Sequence, residues 1–429
     1  MAAAAVDGSA MREPAAGRGE LLGRELELTV DRVAHGGVFV AHHEGRVVFV
    51  PDTLPGERIL ARITEDLHAG YLRADTLAVL ESSPDRQEHV WVAAALDRPP
   101  AERAGGAEFG HIAPAAQRAL KRQVLIDALT RTGRLAPAEV DALAIDVRPV
   151  PGEPDGTRSR TRLKLHVDEQ GRVGPYAARS RHVVPVDDLP LATIGLERAA
   201  LAAGRLPGVR SLDVVAPSTG AAFVVAHPGG GGPATITEHV DERGHEFRLE
   251  PTGFWQVHPS APAVLTAAVQ QALSSGPLDP SAANLDLYGG VGLLAAAVAG
   301  LAGPSLTITT VEGDRRASEH AGQNLARYPA AHARADRVES FLRHEQVRPD
   351  SAHRSAVVLD PPRSGAGTEV VDAIARRGPD RIVYVACDPV ALARDAARFA
   401  RYGYRIGTLA AFDLFPNTHH IEAVATLHR

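Results

Sequence analysis

The sequence predicts an α/β protein that combines a small β-barrel, a mainly β middle region and a doubly wound parallel sheet. Short strands separated by turn residues run from Glu25 to Leu80, which is the pattern of a small closed antiparallel barrel. From ANLDLYGGVG onward, strands alternate with helices, and this alternation indicates a parallel sheet covered by helices. The length of 429 residues suits about three domains, or two with an insertion.

Composition excludes several classes of protein. Cys387 is the one cysteine, so the chain can hold neither an intrachain disulfide framework nor a zinc or iron–sulfur site built from cysteines. No apolar run approaches the roughly 18 residues of a membrane span, and the start of the chain lacks the features of a secretory signal. We therefore expect a cytoplasmic protein without a membrane partner, whose residues 1–20 form a disordered tail. The sequence does not indicate an oligomeric state, and a monomer is the default expectation.

A local excess of positive charge lies in the middle region, which we expect to be mostly β between about residues 145 and 250. The net charge of the chain is -6, so any surface that binds nucleic acid must be local. Alternation along a strand would place four cations on one side of a sheet: Arg158, Arg160, Arg162 and Lys164. A phosphate backbone facing this row would compensate it. Salt bridges to carboxylates elsewhere in the chain explain the row equally well.

Three side chains follow the predicted parallel strands directly. TITTVEGD ends its strand near Glu312, SAVVLDPP near Asp360, and DRIVYVACDP near Cys387. Ligands of doubly wound sheets bind at the carboxyl ends of the strands, so these residues are candidates for one site. The turn DLYGGVG, with an acid at the end of the next strand, is typical of a nucleoside cofactor. An NAD site is the competing interpretation, although the turn does not match G-x-G-x-x-G.

Cys387 and Glu422 are the candidates for chemistry. A lone cysteine is more often a small buried hydrophobic residue, but Cys387 stands between an apolar strand and a predicted helix. Because a helix N-terminus lowers the pKa of a thiol, this position favours a thiolate. Glu422 is flanked by apolar strand residues. Such a carboxylate is either a paired structural group or, beside a ligand crevice, a general base.

In order along the chain, these motifs resemble those of the S-adenosylmethionine-dependent RNA uracil carbon-5 methyltransferases that carry an N-terminal TRAM domain. HGGVFVAHHEGRVVFVPDTLPGE and SSPDR resemble the TRAM barrel and its exit, and GFWQVHP resembles the family's F-x-Q-V-(N/H) segment. Five segments resemble the family's methyltransferase motifs: DLYGGVG, VEGD, LDPPRSG, YVACDPVALARD and FPNTHHIE.

The resemblance implies a domain organisation. A TRAM barrel of the OB type would occupy residues 21–82, and a Rossmann-like methyltransferase domain would occupy residues 251–429. Residues 83–113 and 145–250 would form a central domain that faces RNA. Residues 114–144 would form a helix that packs on the catalytic domain.

The resemblance also assigns roles residue by residue. Cys387 would be the nucleophile and Glu422 the base. The cofactor S-adenosylmethionine would be contacted by Gln256, Tyr288, Glu312, Asp336 and Asp360. Phe254 would lie beside a flipped uracil, on which an aromatic ring can stack. Arg160 and Arg162, from the basic row, would contact the RNA.

Two features depart from the family's pattern. Many members hold a four-iron cluster with cysteines, and the corresponding positions here are Arg98, Ala104, Ala107 and Leu189. We therefore predict no iron–sulfur cluster and no other metal. Leu293 and Asp388 stand where the family usually has Asn, and an added carboxylate at Asp388 would oppose thiolate formation at Cys387.

The motifs predict methyl transfer to carbon 5 of a uridine in tRNA or rRNA. One alternative is methylation of cytosine at carbon 5, which also uses a thiolate. RNA enzymes of that kind commonly use two cysteines, and this chain has one. The other alternative is an RNA-binding protein that keeps an inactive methyltransferase fold, against which the presence of Cys387, Asp360 and Glu422 argues.

Overall fold

The computed structural model describes residues 19–240, 245–274, 276–344 and 355–429. Residues 1–18 of the predicted tail lie outside the described residues. The chain forms two compact units. The first consists of the described residues up to Ala34 together with Val38–Pro84. The second consists of His35–Gly37 and the described residues of Asp85–Arg429. Within the described ranges, no helix combines the length and apolar character needed to cross a membrane.

The first unit is a closed barrel with strand order β1-β2-β3-β5-β4. Its strands are β1 (Glu25–Val33), β2 (Phe39–His43), β3 (Arg46–Val50), β4 (Arg58–Glu65) and β5 (Tyr71–Glu81). Alternate residues point into the barrel, as Leu28 and Val30 of β1 do, because side chains of a strand alternate between its faces. The predicted closed barrel is confirmed, but β3 and β5 pair in parallel rather than antiparallel.

The second unit begins with two 3₁₀ turns, Val92–Ala94 and Pro100–Glu102. Two helices, α1 (Pro114–Arg131) and α2 (Pro137–Ala142), follow where one helix over residues 114–144 is predicted. The predicted mainly β region then begins with β6 (Val147–Arg148). Strand β6 is followed by β7 (Arg162–Val167), β8 (Val173–Gly174), α3 (Ile194–Ala202), β9 (Ser211–Val215), β10 (Phe223–His227), β11 (Ile236–His239) and β12 (Glu246–Leu249). Strands β10-β9-β7-β8 form one sheet, and β11 pairs with β12.

An eight-stranded sheet completes the second unit, with the order β15-β14-β13-β16-β17-β19-β18-β6. The remaining strands are β13 (Asn284–Leu287), β14 (Ile308–Glu312), β15 (Ala331–Ala335), β16 (Ala356–Leu359), β17 (Arg381–Ala386), β18 (Arg405–Phe412) and β19 (Glu422–His428). The remaining helices with described bounds are α4 (Ala261–Leu273), α5 (Leu293–Ala302), α6 (Arg315–Asn324), α7 (Val338–His344), α8 (Gly367–Arg377) and α9 (Pro389–Ala400).

Strand directions bring the candidate residues to one edge of this sheet. Strands β13 to β17 are parallel to one another, so the residues that follow them lie at the same edge. Strand β19 runs antiparallel to β17, with Ala386 opposite Ala423. Glu422, the first residue of β19, therefore lies at the edge where β17 ends and Cys387 follows. Strand β6 comes from the middle region and pairs with β18, which the sequence does not predict.

Candidate active site

A cavity of about 720 Å³ lies at the carboxyl edge of the parallel strands. It is lined by Phe254, Gln256, Tyr288, Glu312, Asp360, Cys387 and Glu422, all of which the sequence predicts as site residues. Asp336, Arg160 and Arg162 are not among the described residues that line it. The cavity therefore brings together both candidate catalytic residues and most of the candidate cofactor contacts.

The glycine-rich turn after β13 fixes the carboxylate of Glu312. A Cβ atom at Gly289 would lie 1.9 Å from Oγ1 of Thr310, so only glycine fits this turn. The backbone N–H of Gly290 donates to Oε2 of Glu312 over 2.9 Å, and that of Asp314 donates to Oε1 over 2.7 Å. Both carboxylate oxygens of Glu312 are thus held in place at the end of β14. A fixed carboxylate at this position suits the predicted binding of ribose hydroxyls.

Burial makes two acidic groups of the cavity, Asp360 and Glu422, hard to ionise. It raises the pKa of Asp360 to about 7, with a smaller contribution from the charge of Asp286. Burial and the charge of Asp360 raise the pKa of Glu422 well above its usual range. The raised pKa favours the protonated form of Glu422, so the role of base predicted for it requires the carboxyl to lose its proton first. Once ionised, a carboxylate with a raised pKa is a stronger base.

The thiol of Cys387 is protonated at neutral pH in this pocket. Burial, followed by the charges of Glu422 and Asp360, raises the pKa of Cys387 to about 12. The expectation of a resting thiolate is therefore wrong. Burial and two carboxylates outweigh the effect of the N-terminus of α9, which begins two residues later.

Arg363 and His420 line the same cavity, although the sequence analysis gave neither a role. The guanidinium of Arg363 donates to Nε2 of His420 over 3.2 Å. Burial, with the charges of His419 and Arg363, lowers the pKa of His420 to about 3, so this ring is neutral. The charge of Arg363 also favours the thiolate of Cys387. Its position directly after Asp360-Pro-Pro, beyond a strand end, is the signal that could have identified it.

Asp388 is compensated by a histidine. Its Oδ2 lies 2.8 Å from Nε2 of His35, and its Oδ1 accepts from the backbone N–H of Ala391 in the first turn of α9. The hydrogen bond that Nε2 of His35 donates to Asp388 raises the pKa of His35, which favours the imidazolium. The carboxylates that raise the pKa of Cys387 are Glu422 and Asp360. The expected opposition by Asp388 is therefore offset by His35.

Asp336 lies directly after β15, beside Glu312. Its backbone N–H donates to the carbonyl oxygen of Glu312 over 3.0 Å. This bond places Asp336 next to a cavity residue but outside the set that lines the cavity. A contact between Asp336 and the cofactor stays a prediction.

The two arginines predicted to contact RNA have partners inside the chain. Arg160 donates to the carbonyl oxygen of Gly106 over 2.8 Å. Arg162 donates to the carbonyl oxygens of Pro251 and Gly253, and its Nη2 lies 3.1 Å from Oε1 of Glu238. Contact between these arginines and RNA stays a prediction, and the salt-bridge alternative gains a specific partner for Arg162.

We expect Arg162→Gln to reduce the free energy of unfolding. The side chains of Arg162 and Glu238 are only 11% and 5% exposed, so the substitution would leave a buried carboxylate without its partner, at a cost of about 3 kcal/mol. Denaturation in urea measures the loss. Lys164→Gln is the matched control, because Lys164 lies on the same strand and is 58% exposed. If Arg162→Gln is as stable as the wild-type protein and its RNA binding depends less steeply on salt, Arg162 contacts RNA rather than stabilising the fold.

One group of three metal-ligating side chains occurs among the described residues: Glu108, His419 and His420. Glu108 already forms an ion pair with His419. Its charge also acts on the buried Lys121 and on the half-buried Arg160. Because these cations compensate Glu108, and a metal ion would add further positive charge, an ion-pair cluster explains the group better.

The reactivity of Cys387 should show its raised pKa directly. Since the chain has one cysteine, iodoacetamide modifies a single thiol. We expect the rate of alkylation to rise about tenfold per pH unit between about pH 7 and about pH 10, because the thiolate is the reactive form. Glu422→Gln should increase the rate at about pH 9, since it removes a charge that raises the pKa of the thiol. A rate that levels off near about pH 8 would contradict the burial argument.

Comparisons with known proteins identify the family. A family model described as tRNA (Uracil-5-)-methyltransferase matches residues 326–429, and a TRAM domain model matches residues 19–77. A Streptomyces coelicolor protein named "Uncharacterized RNA methyltransferase" is 37% identical over 97% of this chain and 96% of its own length. A Pseudomonas entomophila protein named "23S rRNA (uracil(1939)-C(5))-methyltransferase" is 32% identical over 94% of each chain.

A solved structure shows the same fold. The crystal structure of Pyrococcus abyssi tRNA (uracil-54, C5)-methyltransferase in complex with S-adenosyl-L-homocysteine matches 94% of this chain and 100% of its own chain. The TM-score is 0.67 and the identity is 20%, so this likeness concerns the fold alone. Together with the relatives that match nearly the whole chain, these findings show that the chain belongs to the TRAM-containing, S-adenosylmethionine-dependent RNA methyltransferases of the uracil-C5 family.

Proposed function

We propose that this protein transfers a methyl group from S-adenosylmethionine to carbon 5 of a uridine in tRNA or rRNA, through a covalent bond between Cys387 and the base. The observation that carries the proposal is that Cys387, Asp360 and Glu422 line one cavity. The relative named for methylation of a uracil in 23S rRNA, which matches 94% of this chain, supports the choice of base.

The described residues fit S-adenosylmethionine. Glu312 offers a carboxylate held by two backbone N–H groups, which suits the ribose hydroxyls. A Cβ atom at Gly290 would meet nothing within 4 Å, so the backbone there borders open space in the cavity. Gln256, Tyr288 and Asp360 would supply further contacts. The cofactor supplies an electrophilic methyl group.

The chemistry requires a nucleophile because carbon 5 of uracil does not take up a methyl group unaided. The thiol of Cys387 gives its proton to the carboxylate of Asp360, whose charge acts on the thiol. The sulfur forms a bond to carbon 6, and the electron pair of the 5,6 double bond becomes available at carbon 5. Carbon 5 would then bond to the methyl group that S-adenosylmethionine supplies, as the bond between that methyl group and the sulfonium sulfur breaks and S-adenosylhomocysteine is left. This is covalent catalysis, in which one difficult step is replaced by two easier ones.

Release of the product requires a base. Glu422 removes the proton from carbon 5, the electron pair of that bond restores the 5,6 double bond, and the bond between carbon 6 and sulfur breaks. The raised pKa of Glu422 makes its carboxylate a competent acceptor for this proton. Glu422 and Cys387 line the same cavity, which supports this division of roles.

Phe254 is the residue that would stack on the target base. Its side chain lines the cavity and is nevertheless 72% exposed. An exposed aromatic face beside the cavity suits a base that has left its stack, because such a base loses its stacking partners on the way to the site.

We infer that the enzyme works without an iron–sulfur cluster. Of the four positions that correspond to cluster cysteines, Ala104, Ala107 and Leu189 are buried in one apolar cluster with Trp91 and Leu191. Apolar packing of these side chains would stabilise the segment that a cluster would otherwise hold together. A cytoplasmic location and a monomeric state stay predictions.

Methyl transfer to defined RNAs tests the function. The protein is incubated with tritiated S-adenosylmethionine and either total tRNA or rRNA without 5-methyluridine, and the RNA is digested to nucleosides. We expect the label in 5-methyluridine from one of the two pools. Label in 5-methylcytidine would indicate the cytosine alternative. Absence of label from both pools, with a protein that binds S-adenosylhomocysteine, would support the RNA-binding alternative.

A further inference from the structure

We propose that Gln117 and Lys121 of helix α1 are positioning residues for removal of the proton from carbon 5, an inference that rests on the function proposed above. Both side chains reach the loop that joins β18 to β19. This loop carries His420 and leads directly into Glu422 at the start of β19. The helix would thus hold the base in place from a part of the chain about 300 residues away.

Gln117 and Asn417 join the helix to the loop through two hydrogen bonds. Nε2 of Gln117 donates to Oδ1 of Asn417 over 2.9 Å, and the backbone N–H of Asn417 donates to Oε1 of Gln117 over 2.8 Å. Both side chains are buried. Asn417 has a φ of 62°, which residues other than glycine rarely adopt. The two bonds therefore hold a loop conformation that the backbone alone does not favour.

Lys121 holds the start of the same loop. Its Nζ donates to Oδ1 of Asp413 over 2.5 Å and to the carbonyl oxygen of Phe415 over 3.0 Å. The chain has only two lysines among its 46 basic residues, and Lys121 is buried. An ammonium is more compact than a guanidinium, which suits a buried site with two close acceptors.

Hydrogen bonds within the loop between β18 and β19 connect the part bonded to α1 with the residues that line the cavity. Oγ1 of Thr418 donates to the carbonyl oxygen of Phe415 over 2.8 Å and accepts from the backbone N–H of His420. His420 and Glu422 both line the cavity. A shift of the loop would therefore displace the side chains on the base side of the cavity.

Cys387 lies between β17 and α9. Helix α1 also packs on α9, where Leu125 and Leu129 share an apolar cluster with Leu392. The hydrogen bonds of Gln117 and Lys121, by contrast, go to the loop after β18, so changing these two side chains removes contacts on the base side while the apolar face of α1 is unchanged. The formation of the covalent adduct and its resolution should therefore respond differently to changes in α1. A helix that only stabilised the fold would affect both steps alike.

The test uses Gln117→Leu and Lys121→Met in the full chain, with Gln123→Leu as the matched control on the exposed face of the same helix. We expect kcat to fall about tenfold to a hundredfold in both test variants, because a small misplacement of a catalytic group has an effect of this size. Binding of S-adenosylhomocysteine and alkylation of Cys387 should stay within about twofold of the wild-type values. The covalent protein–RNA adduct, seen on denaturing gels, should accumulate during turnover.

Asn417→Gly keeps the backbone N–H that donates to Oε1 of Gln117 and suits the φ of 62°, but it removes the acceptor Oδ1, so it should lose less activity than Gln117→Leu. It also serves if Gln117→Leu does not fold. The inference is overturned if folded test variants keep the kcat of Gln123→Leu. It is also overturned if their adduct formation and alkylation fall in proportion to kcat, which is the behaviour of a weakened fold. Failure of the proposed function has a different signature, because the wild-type protein itself then makes no 5-methyluridine. Failure of the inference about α1 leaves the wild-type protein active.

Discussion

Replacing Cys387 with alanine is expected to abolish methyl transfer to RNA. Without the sulfur, carbon 5 of uracil is never activated, and losing the nucleophile of a covalent enzyme lowers kcat by a factor on the order of 10⁴ or more. Because Glu312, Gln256 and Tyr288 are unchanged, binding of S-adenosylhomocysteine should be retained. Calorimetric titration with S-adenosylhomocysteine, beside the tritium assay, measures both effects.

Two further variants test whether the loss of methyl transfer in Cys387→Ala is due to the missing thiol. Cys387→Ser keeps the size and position of the side chain while replacing the thiol by a far less acidic hydroxyl, so it should be as inactive as Cys387→Ala. Phe254→Leu should retain part of the activity, since it removes only stacking of the target base. Methylation by Cys387→Ala at more than a few per cent of the wild-type rate would contradict the assignment of the nucleophile.

Replacing Glu422 with glutamine is expected to trap the covalent intermediate. The amide cannot remove the proton from carbon 5, so the methylated base stays attached to Cys387 and turnover stops after one event. Glutamine has nearly the size of glutamate, so at this buried position it removes the ionisable carboxyl with little change in packing. A slowly migrating band on denaturing gels, present only with S-adenosylmethionine and RNA, measures the adduct.

The double variant provides the control for the trapped band. Glu422→Gln combined with Cys387→Ala should give no band, because the sulfur is then missing. A Glu422→Gln protein that turns over at the wild-type rate would show that another group removes the proton. Asp360 would then be the next residue to test, because it lines the same cavity and its raised pKa of about 7 also suits a base.

Local sequence pattern is sufficient to predict which side chains lie at the edge of the sheet. Glu312, Asp360 and Cys387 each follow a short apolar run, and a run of that kind followed by a turn is read directly as a strand end. The roles of these residues come from the resemblance to a family, since the pattern alone leaves an NAD site open.

Properties that depend on tertiary structure could not be predicted in the same way. The pKa of Cys387 is set by burial and by Glu422, which is 35 residues away in the sequence, rather than by the adjacent helix. The bonds between Gln117 and Asn417 join residues 300 positions apart, and neither residue belongs to a recognisable pattern with the other. The ion pair of Arg162 with Glu238 likewise shows that a row of cations in sequence can be compensated by distant carboxylates.

The most direct test of the central claim is to identify the atom that bonds to the base. RNA that contains 5-fluorouridine offers no proton at carbon 5 for Glu422 to remove, so the adduct of the wild-type protein should persist. After digestion with protease and nuclease, mass spectrometry should find a methylated fluorouridine on the peptide that contains Cys387. Attachment at another residue, or 5-methyluridine formation on normal RNA without any adduct on fluorinated RNA, would contradict the covalent role of Cys387.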